Sequence, residues 1–456
     1  MLFSIFSNYV PRWKCEEEEQ FAKNCSSFDR CNGVVIWEDR AFDSAALDFG
    51  WVCGNMAYLQ QLFSQVQFAG VLLGTFSFGA LSDAFGRKPI ATVALALGIS
   101  MNFITGIVPS WQILLIVRFF VGLAIGGTLV VVCTFVMEML LPQQRMALRA
   151  FFNWGVARLA VTLICYGFPD WRTASIVCAL VAAPALLIVI FIFPESPNWL
   201  HHKGKTQSMI DSEKKIAKWA GVPYKPVAHK KIEHAKTFCE MIKTGGLFKR
   251  LIVLWTMWFS ASICGYATDL NSNTISGDLY WTQVYFSVLI AVSKMVLVVV
   301  DANFPGFSRR LLHQGSQVVV CICFLVLTVM SIKEYTGPML LVVYLMGTVF
   351  IEYTWDACYL CAVESMETSC RASATGSCSL VARIGAICAP TLNHLNTIWP
   401  PSVFLAVTIV GVINLFVSYF FLVETKNVNL DNVTMGERPE EGSPMLVKEQ
   451  KTDDLE

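Results

Sequence analysis

Charge is scarce in this sequence of 456 residues. Only 15% of the residues are charged, whereas about 25% are charged in a typical soluble protein. So few charges cannot cover the surface of a soluble chain of this length, which excludes a soluble enzyme and a disordered protein. Because 34 basic residues balance 34 acidic ones, nothing indicates nucleic-acid binding. The composition predicts an all-α polytopic membrane protein surrounded mainly by the lipid bilayer.

Motifs for catalysis and for cofactor binding are missing as well. The chain contains no glycine-rich phosphate-binding loop, no nucleophile elbow and no paired catalytic carboxylates in a suitable setting. We therefore predict neither enzymatic activity nor a cofactor. Cys358 and Cys361 have the spacing of metal ligands. They lie within a predicted helix without a second pair, so we predict no metal site.

What the sequence has instead is long apolar runs. A helix needs about 20 apolar residues to cross the hydrocarbon core of a bilayer. Runs of about that length predict eleven spans, near residues 62–81, 90–108, 112–137, 147–168, 173–193, 251–270, 279–300, 315–333, 338–360, 373–397 and 401–423. They form an N-terminal helical bundle (62–193) and a C-terminal six-helix bundle (251–423), joined by a polar linker (194–250) and followed by a disordered tail (424–456).

The positions of Lys and Arg predict the orientation in the membrane. The linker carries twelve of these basic residues, and the basic turns around Arg87 and Arg145 lie on the same side of the membrane as the linker. Cytosolic loops are enriched in Lys and Arg. We therefore expect the linker and the C-terminal tail in the cytosol and residues 1–61 outside, in a multi-pass protein of the plasma membrane.

The predicted extracellular segment contains four cysteines and a glycosylation acceptor. Cys15, Cys25, Cys31 and Cys53 lie in the same segment as the sequon that begins at Asn24. An even number of cysteines in an oxidising compartment predicts disulfides, and the sequon predicts glycosylation of Asn24. Four cysteines allow three pairings, and four free thiols are the alternative.

Charged turns recur in the same order in the two halves of the chain. Three features of the first half have counterparts in the second. The turn with Asp83, Gly86, Arg87 and Lys88 matches the turn with Asp301, Gly306, Arg309 and Arg310. The pair Glu138 and Arg145 matches Glu364 and Arg371, and residues 194–197 match residues 423–426. These matches indicate two copies of one multi-helix unit, and in transporters built this way the substrate site lies at the repeat interface. We expect the Glu/Arg pairs to bridge helix ends and hold one gating state, with ordinary charged turns as the alternative.

The glycines of the first turn have their own expected roles. Gly79 should let two helices approach closely, and Gly86 should end the turn where the chain reverses. Arg87 and Lys88 follow directly, on the predicted cytosolic side.

These motifs resemble those of a known family. Residues 79–89 are similar to the signature loop of the major facilitator superfamily, and Arg118, Gly122 and Gly126 resemble its helix-four motif. Residues 194–200 resemble a loop shared by sugar transporters and the solute carrier 22 family of organic cation and anion transporters, and residues 51–54 and 169–172 favour the solute carrier 22 family. The resemblance covers about residues 9–430. It implies a two-bundle fold of twelve helices that transports small organic ions by alternating access.

The sequence departs from the family pattern at several places. Asn198 replaces the usual arginine, Val423 replaces the usual proline, and the loop from Asp301 to Arg310 is longer. Residues 1–10 resemble only the outer end of helix one, so we expect eleven helices where the family has twelve. Either the gene model starts late or the product is truncated, and a truncated family member that does not transport is one alternative function.

Two cations in the second half correspond to the site of the family's organic anion transporters. Lys294 and Arg383 lie at positions similar to their lysine and arginine, so the resemblance implies that both bind an organic anion. A charge at the centre of a bilayer costs about 2.5–3.5 kcal/mol on insertion scales, so each one should be paired, hydrated or functional. Glu352 and Asp356, which share a helix face, would tune or gate this site, and Tyr266 would line it.

The same residues support other hypotheses. Lys294, Arg383, Glu352 and Asp356 could neutralise one another in a structural network. A cation or zwitterion carrier would use Glu352 and Asp356 as its binding residues. We expect Arg118 to support its own helix rather than to bind substrate. The oligomeric state and the identity of the substrate stay open.

Overall fold

Helices make up most of the chain. A computed structural model describes residues 2–16, 21, 25–28, 31, 34–38, 40–139, 153–221, 223–224, 242–243, 245–272, 275, 278–304, 308–366 and 371–422. The N-terminal half contains α1 (Phe3–Ser7), α2 (Cys25–Phe28), α3 (Ala45–Asp48), a 3₁₀ turn (Gly54–Met56), α4 (Tyr58–Phe85), α5 (Arg87–Thr105), α6 (Trp111–Gly127), α7 (Cys133–Met139), α8 (Trp154–Gly167) and α9 (Trp171–Leu187). Two π-helical turns, Thr128–Val132 and Ile188–Ile192, continue α6 and α9.

In the part of the chain that the structure describes, the linker and the second half continue with two shorter helices and then six long ones. The linker contributes α10 (Pro197–His202) and α11 (Thr206–Ala220), and the C-terminal half contributes α12 (Gly245–Asn271), α13 (Leu279–Asn303), α14 (Arg309–Ile332), α15 (Met339–Glu364), α16 (Arg371–Ile398) and α17 (Ser402–Phe421). Among the described residues, nine helices are long and apolar enough to cross a membrane, and α8 is a shorter apolar helix. α16 is 28 residues long but more polar. Each of the eleven predicted spans falls on one of these helices.

Polar residues determine where several of these helices begin. Asn153, Asp170, Asp278 and Ser308 accept hydrogen bonds from the backbone N–H three residues further on, at the starts of α8, α9, α13 and α14. Such N-caps satisfy a donor that the first helical turn otherwise leaves without a partner. The apolar runs are therefore held as separate helices with defined first residues.

The segment before α4 is held together by two disulfides. Cys15 is bonded to Cys31, and Cys25 is bonded to Cys53. Strand β1 (Trp13–Cys15), which ends at the first of these cysteines, pairs antiparallel with β2 (Val35–Trp37). The structure thus contains one of the three pairings that the sequence left open. Asn24, the predicted glycosylation site, lies outside the described residues.

The first helix is short and packs against α4. Ser4 donates a hydrogen bond to Gln67 Oε1 at 3.4 Å, and Asn8 Nδ2 donates to Ser64 Oγ at 3.1 Å. All five residues of α1 are buried. The predicted absence of the rest of helix one stays a prediction.

Two faces of the molecule can be distinguished by what they carry. The disulfide-linked segment lies at the end of the bundle where α4 begins, and we call this face the loop side. The linker helices lie at the end where α4 finishes, because Trp199 Nε1 of α10 donates to the backbone oxygen of Asp83 at 3.0 Å. We call this face the linker side.

In the described part of the chain, the two halves contact each other mainly through α4 with α16 and α8 with α13. Gln65 Nε2 donates to Thr391 Oγ1 at 2.8 Å. A Cβ atom at Gly155 would lie 2.5 Å from the backbone oxygen of Ser287, so α8 and α13 pack with their backbones close together. These contacts leave a space between the halves, which contains the predicted site residues.

Glycines allow α4 and α6 to cross at close range. A Cβ atom at Gly122 would lie 2.0 Å from the backbone oxygen of Gln67, and one at Gly126 would lie 2.3 Å from that of Val71. Small residues permit this kind of contact between membrane helices. The helix-four motif is therefore a packing motif in this structure.

Replacing Gly122 with alanine should destabilise the protein, because the added methyl group meets backbone rather than a movable side chain. Overpacking of this kind costs about 1–3 kcal/mol. The matched control is Gly315→Ala in α14, where a Cβ atom would meet nothing within 4 Å. Thermal unfolding in detergent should show a lower midpoint for Gly122→Ala and an unchanged or higher midpoint for the control. Equal midpoints for the two variants would contradict the close packing.

Candidate functional site

A cavity of about 340 Å³ lies between the two halves. Leu129, Asn153 and Trp154 line it from the N-terminal half, and residues of α12 to α16 line it from the C-terminal half. It reaches Asp301 and Arg309, which lie at the linker-side ends of α13 and α14. The cavity therefore extends from the interior of the bundle to the linker side.

All five predicted substrate-binding residues line this cavity. They are Lys294, Arg383, Tyr266, Glu352 and Asp356. α13 carries the lysine, α15 the two carboxylates, α12 the tyrosine and α16 the arginine. Residues that are up to 117 positions apart in sequence are thus brought into one site.

Aromatic rings form much of the remaining wall. Trp258, Trp355 and Tyr359 line the cavity together. The Trp258 ring lies 4.4 Å from that of Tyr359 and 5.8 Å from that of Trp355, measured between centroids, and both contacts are edge-to-face. Tyr266 contacts Phe68 of α4 at 4.9 Å between ring centroids. The wall thus offers flat apolar surfaces, and one of its rings contacts the opposite half.

Lys294 is bound by both nearby carboxylates. Its ammonium nitrogen lies 2.6 Å from Asp356 Oδ2 and 3.1 Å from Glu352 Oε2, and it also donates to the backbone oxygen of Glu352 at 3.1 Å. An ammonium has three N–H donors, so these three contacts use all of them. We call these three residues the lysine triad. For Lys294 the structure agrees with the neutralising-network hypothesis, and the triad carries one negative charge in excess.

Arg383 has a different environment. Its Nη1 donates to Tyr266 Oη at 3.3 Å. No carboxylate of the described residues lies within salt-bridge distance of it, and its Nε has no partner among them. Arg383 therefore presents a positive charge to the cavity without a counter-ion among the described residues.

A buried ion pair joins the two halves. Arg158 of α8 lies 2.7 Å from Asp269 of α12, and its guanidinium also donates to Gln283 Oε1 at 2.9 Å. Trp154 Nε1 donates to the same aspartate at 3.1 Å. The Arg158 side chain is only 1% exposed. This bridge was not among the predicted site residues, and the available signal was that both residues are charges within predicted spans.

Two arginine networks occupy equivalent positions on the linker side. Arg87 lies 2.6 Å from Asp83 and 3.5 Å from Glu138. In the other half the corresponding distances from Arg309 are 2.6 Å to Asp301 and 3.3 Å to Glu364. The repeated sequence signals thus mark the same three-residue network twice.

The glutamates of these networks also belong to the Glu/Arg pairs that the sequence predicts, Glu138 with Arg145 and Glu364 with Arg371. Both glutamates contact the arginine of the preceding turn, and each network joins the ends of three helices. Arg145 and the side chain of Arg371 lie outside the described part of the chain.

Glu195 fixes the turn between α4 and α5. Its Oε1 accepts hydrogen bonds from the backbone N–H groups of Arg87 and Lys88, both at 3.0 Å. Gly86 has a φ of 119°, and a Cβ atom there would lie 2.6 Å from Glu195 Oε2. Glycine is required at this position both by the backbone conformation and by the approaching carboxylate.

Gly79 and Arg118 are two further motif residues, and both have contacts outside the cavity. Gly79 would tolerate a Cβ atom, which would make an ordinary contact of 3.5 Å with Val130, so the expectation that it permits a close helix approach is wrong. Arg118 lies away from the cavity wall. Its Nη2 donates to Gln67 Oε1 at 2.7 Å, and its guanidinium lies 4.8 Å from the Phe63 ring centroid. These contacts tie α6 to α4 and are of a structural kind.

Replacing Lys294 with methionine should destabilise the protein more than neutralising the whole lysine triad does. The single change leaves Glu352 and Asp356 together without a cation, whereas the variant Lys294→Met, Glu352→Gln, Asp356→Asn leaves no charge uncompensated. Breaking a fully buried pair costs about 3–5 kcal/mol. The effect should be smaller here, because the Asp356 side chain is 26% exposed. Thermal unfolding of both variants checks this order, and the reverse order would contradict the structural role of Lys294.

The chain is similar to transporters over most of its length. A family model described as sugar (and other) transporter matches residues 14–435. The uncharacterised protein F23F12.3 of Caenorhabditis elegans is 34% identical over 94% of this chain and 90% of its own length. Solute carrier family 22 member 15 of Xenopus tropicalis is 28% identical over 80% of this chain and 70% of its length. The organic cation transporter-like protein of Drosophila melanogaster is 26% identical over 90% of this chain and 75% of its own length.

The fold is also that of a solved transporter. The inward-open conformation of the xylose transporter XylE from E. coli aligns over 94% of this chain and 96% of its own, with a TM-score of 0.66 at 15% identity. This similarity shows the two-bundle architecture of the major facilitator superfamily, and the family match shows the relationship in sequence. The chain therefore belongs to the sugar (and other) transporter family of the major facilitator superfamily and is a membrane transporter, similar to solute carrier family 22 members, rather than an enzyme.

Proposed function

We propose that this protein transports small organic ions across the plasma membrane by alternating access, and that Arg383 binds an anionic group of the substrate. The observation that carries the proposal is the position of Arg383 in the cavity wall without a carboxylate partner among the described residues. Arginine presents a planar set of donors that suits carboxylate and phosphate groups. A substrate anion would supply the missing counter-ion.

Lys294 contributes differently from what its resemblance to the anion transporters implies. The two carboxylates of the lysine triad already occupy its ammonium group, so it has no donor left for a substrate anion. Its role is to hold α13 against α15 and so to shape the cavity. Arg383 alone supports the preference for organic anions.

The size and walls of the cavity suit an aromatic or amphipathic substrate. Pockets for small molecules have volumes of about 300–1,000 Å³, and this cavity has about 340 Å³. The rings of Trp355 and Tyr359 provide flat apolar surface beside the charged groups. A flat substrate with one charged group could contact both.

Alternating access is supported by the contacts on the two sides of the cavity. The cavity reaches the linker side, which we place in the cytosol because of its basic residues. Asp269 lines the cavity, and its ion pair with Arg158 fastens one half to the other. We propose that this pair separates when the loop side opens, while the networks of Arg87 and Arg309 move with their own halves.

A zwitterionic substrate is the second candidate. The lysine triad carries an excess negative charge on the same cavity wall as Arg383. A substrate with a carboxylate and a quaternary ammonium group could pair with both, and aromatic rings beside the carboxylates favour such a cation. The name of the Drosophila relative also refers to organic cations.

Arg383→Ala should reduce the uptake of an aromatic carboxylate strongly. A hydrogen bond to a charged group contributes about 1.5–3 kcal/mol, which corresponds to about a 10- to 100-fold change in apparent affinity. The measurement is radiolabelled uptake in expressing cells, normalised to surface protein. Arg383→Lys should retain part of the activity, and Lys333→Ala, at an exposed residue outside the cavity, should retain all of it. Wild-type uptake by a surface-expressed Arg383→Ala variant would sink the anion assignment.

Asp356→Asn separates the two candidate substrates. This change removes the excess charge but leaves Lys294 paired with Glu352. If the substrate is a zwitterion, uptake of an aromatic betaine should fall at least about tenfold, whereas uptake of the matched carboxylate should not. Equal uptake of the betaine by variant and wild type would exclude the second candidate. A wild-type protein that reaches the surface and moves neither compound nor the matched quaternary ammonium would contradict transport of organic ions.

A further inference from the structure

The linker helix α11 lies beside the end of a membrane-spanning helix. The Trp219 ring near the end of α11 contacts the Phe193 ring at 6.2 Å between centroids, in an edge-to-face arrangement. Phe193 directly follows Ile192, the last residue of a span. The Trp219 side chain is 47% exposed. A half-exposed tryptophan next to the end of a span is in the position that tryptophan takes at the membrane–water interface.

The exposed charges of this region are almost all positive. The five lysines between Pro197 and Ala220 are all exposed: Lys203, Lys205, Lys214, Lys215 and Lys218. The acidic residues of α11 are Asp211, which is exposed, and Glu213, which is buried and accepts a hydrogen bond from Tyr224 at 2.9 Å.

Several of these lysines lie against the rings. Lys215 Nζ lies 5.3 Å from the centroid of the Trp219 ring. Lys203 Nζ and Lys205 Nζ lie 5.8 and 5.5 Å from the centroid of the Trp199 ring. Trp199 Nε1 donates a hydrogen bond to the backbone oxygen of Asp83, near the end of α4. An ammonium group within about 6 Å of a ring centroid is attracted to the face of the ring, so these lysines are held beside Trp199 and Trp219. Both ring positions are thus close to the linker-side ends of the spans.

We propose that α11 and the lysines around Trp199 form a docking surface for the anionic headgroups of the surrounding bilayer, with phosphatidylserine as the probe. We call this surface the lysine face. Basic residues next to a membrane span are attracted to the negative surface of the cytoplasmic leaflet. Trp199 of α10 is hydrogen-bonded to Asp83, which pairs with Arg87. Lipid bound to the lysine face would therefore act on the Arg87 network of the N-terminal half. The proposal concerns lipid contact and is independent of which substrate is carried.

Hydrogen–deuterium exchange of the full-length protein in nanodiscs tests the lysine face. One set of discs contains phosphatidylcholine alone, and the other contains phosphatidylcholine with about one third phosphatidylserine. Amides of α11 should exchange several-fold more slowly in the anionic discs, and high salt should remove the difference because it screens surface charge. Equal exchange in both lipids would overturn the proposal.

Charge reversal identifies the residues responsible. The variant Lys214→Glu, Lys215→Glu, Lys218→Glu should abolish the dependence on phosphatidylserine, whereas Lys333→Glu, an exposed lysine outside the linker, should preserve it. Slow exchange in the membrane-spanning helices shows that the triple variant is folded. Lys218→Ala alone should weaken the lipid association about fivefold, which corresponds to about 1 kcal/mol for one basic residue near an anionic surface. Lipid dependence that persists in the triple variant would contradict the assignment.

Discussion

The cost of an unpaired charge in hydrocarbon is the constraint on which the arrangement of this molecule depends. A carboxylate or an ammonium group inside a membrane-spanning bundle has to find a partner, and the partner is on another helix. Lys294 thereby holds α13 to α15, and Arg158 holds the N-terminal half to α12. The scarce charges therefore act as connections between helices. Arg383 stands out against this background, because its counter-ion is missing among the described residues.

The connections inside a half differ from those between halves. The Arg87 and Arg309 networks each join helix ends within one half, so a half can move as a unit without breaking them. The pair of Arg158 and Asp269 crosses the interface and must separate when the halves move apart. Because its charges are also bound by Gln283 and Trp154, separation exposes polar groups that water can solvate once the loop side opens. Ion pairs within each half and one ion pair between the halves are the arrangement that the proposed rocking motion requires.

Features that depend on local composition could be predicted from the sequence. Contacts between residues that are far apart in the sequence could not. Apolar runs identified the spans, because about 20 residues are needed to cross a bilayer. The repeated turns contain all six residues of the two arginine networks. The pairing of Glu138 with Arg87 could not be predicted, since it depends on which helix ends meet. The same holds for Arg158 and Asp269, which are 111 residues apart. The pairing of Lys294 with both Glu352 and Asp356 could not be predicted either, since it depends on the distances between these side chains.

The central claim is that two rigid halves rock about the site. It is tested most directly by distances between spin labels across the halves, measured with and without substrate. One pair of labels would replace Ile107 and Lys333 at the loop side, and the other Phe85 and Phe304 at the linker side, all of which are exposed. Rocking predicts that one distance lengthens while the other shortens. Changes in the same direction, or no change in either distance in a protein that transports, would contradict the account.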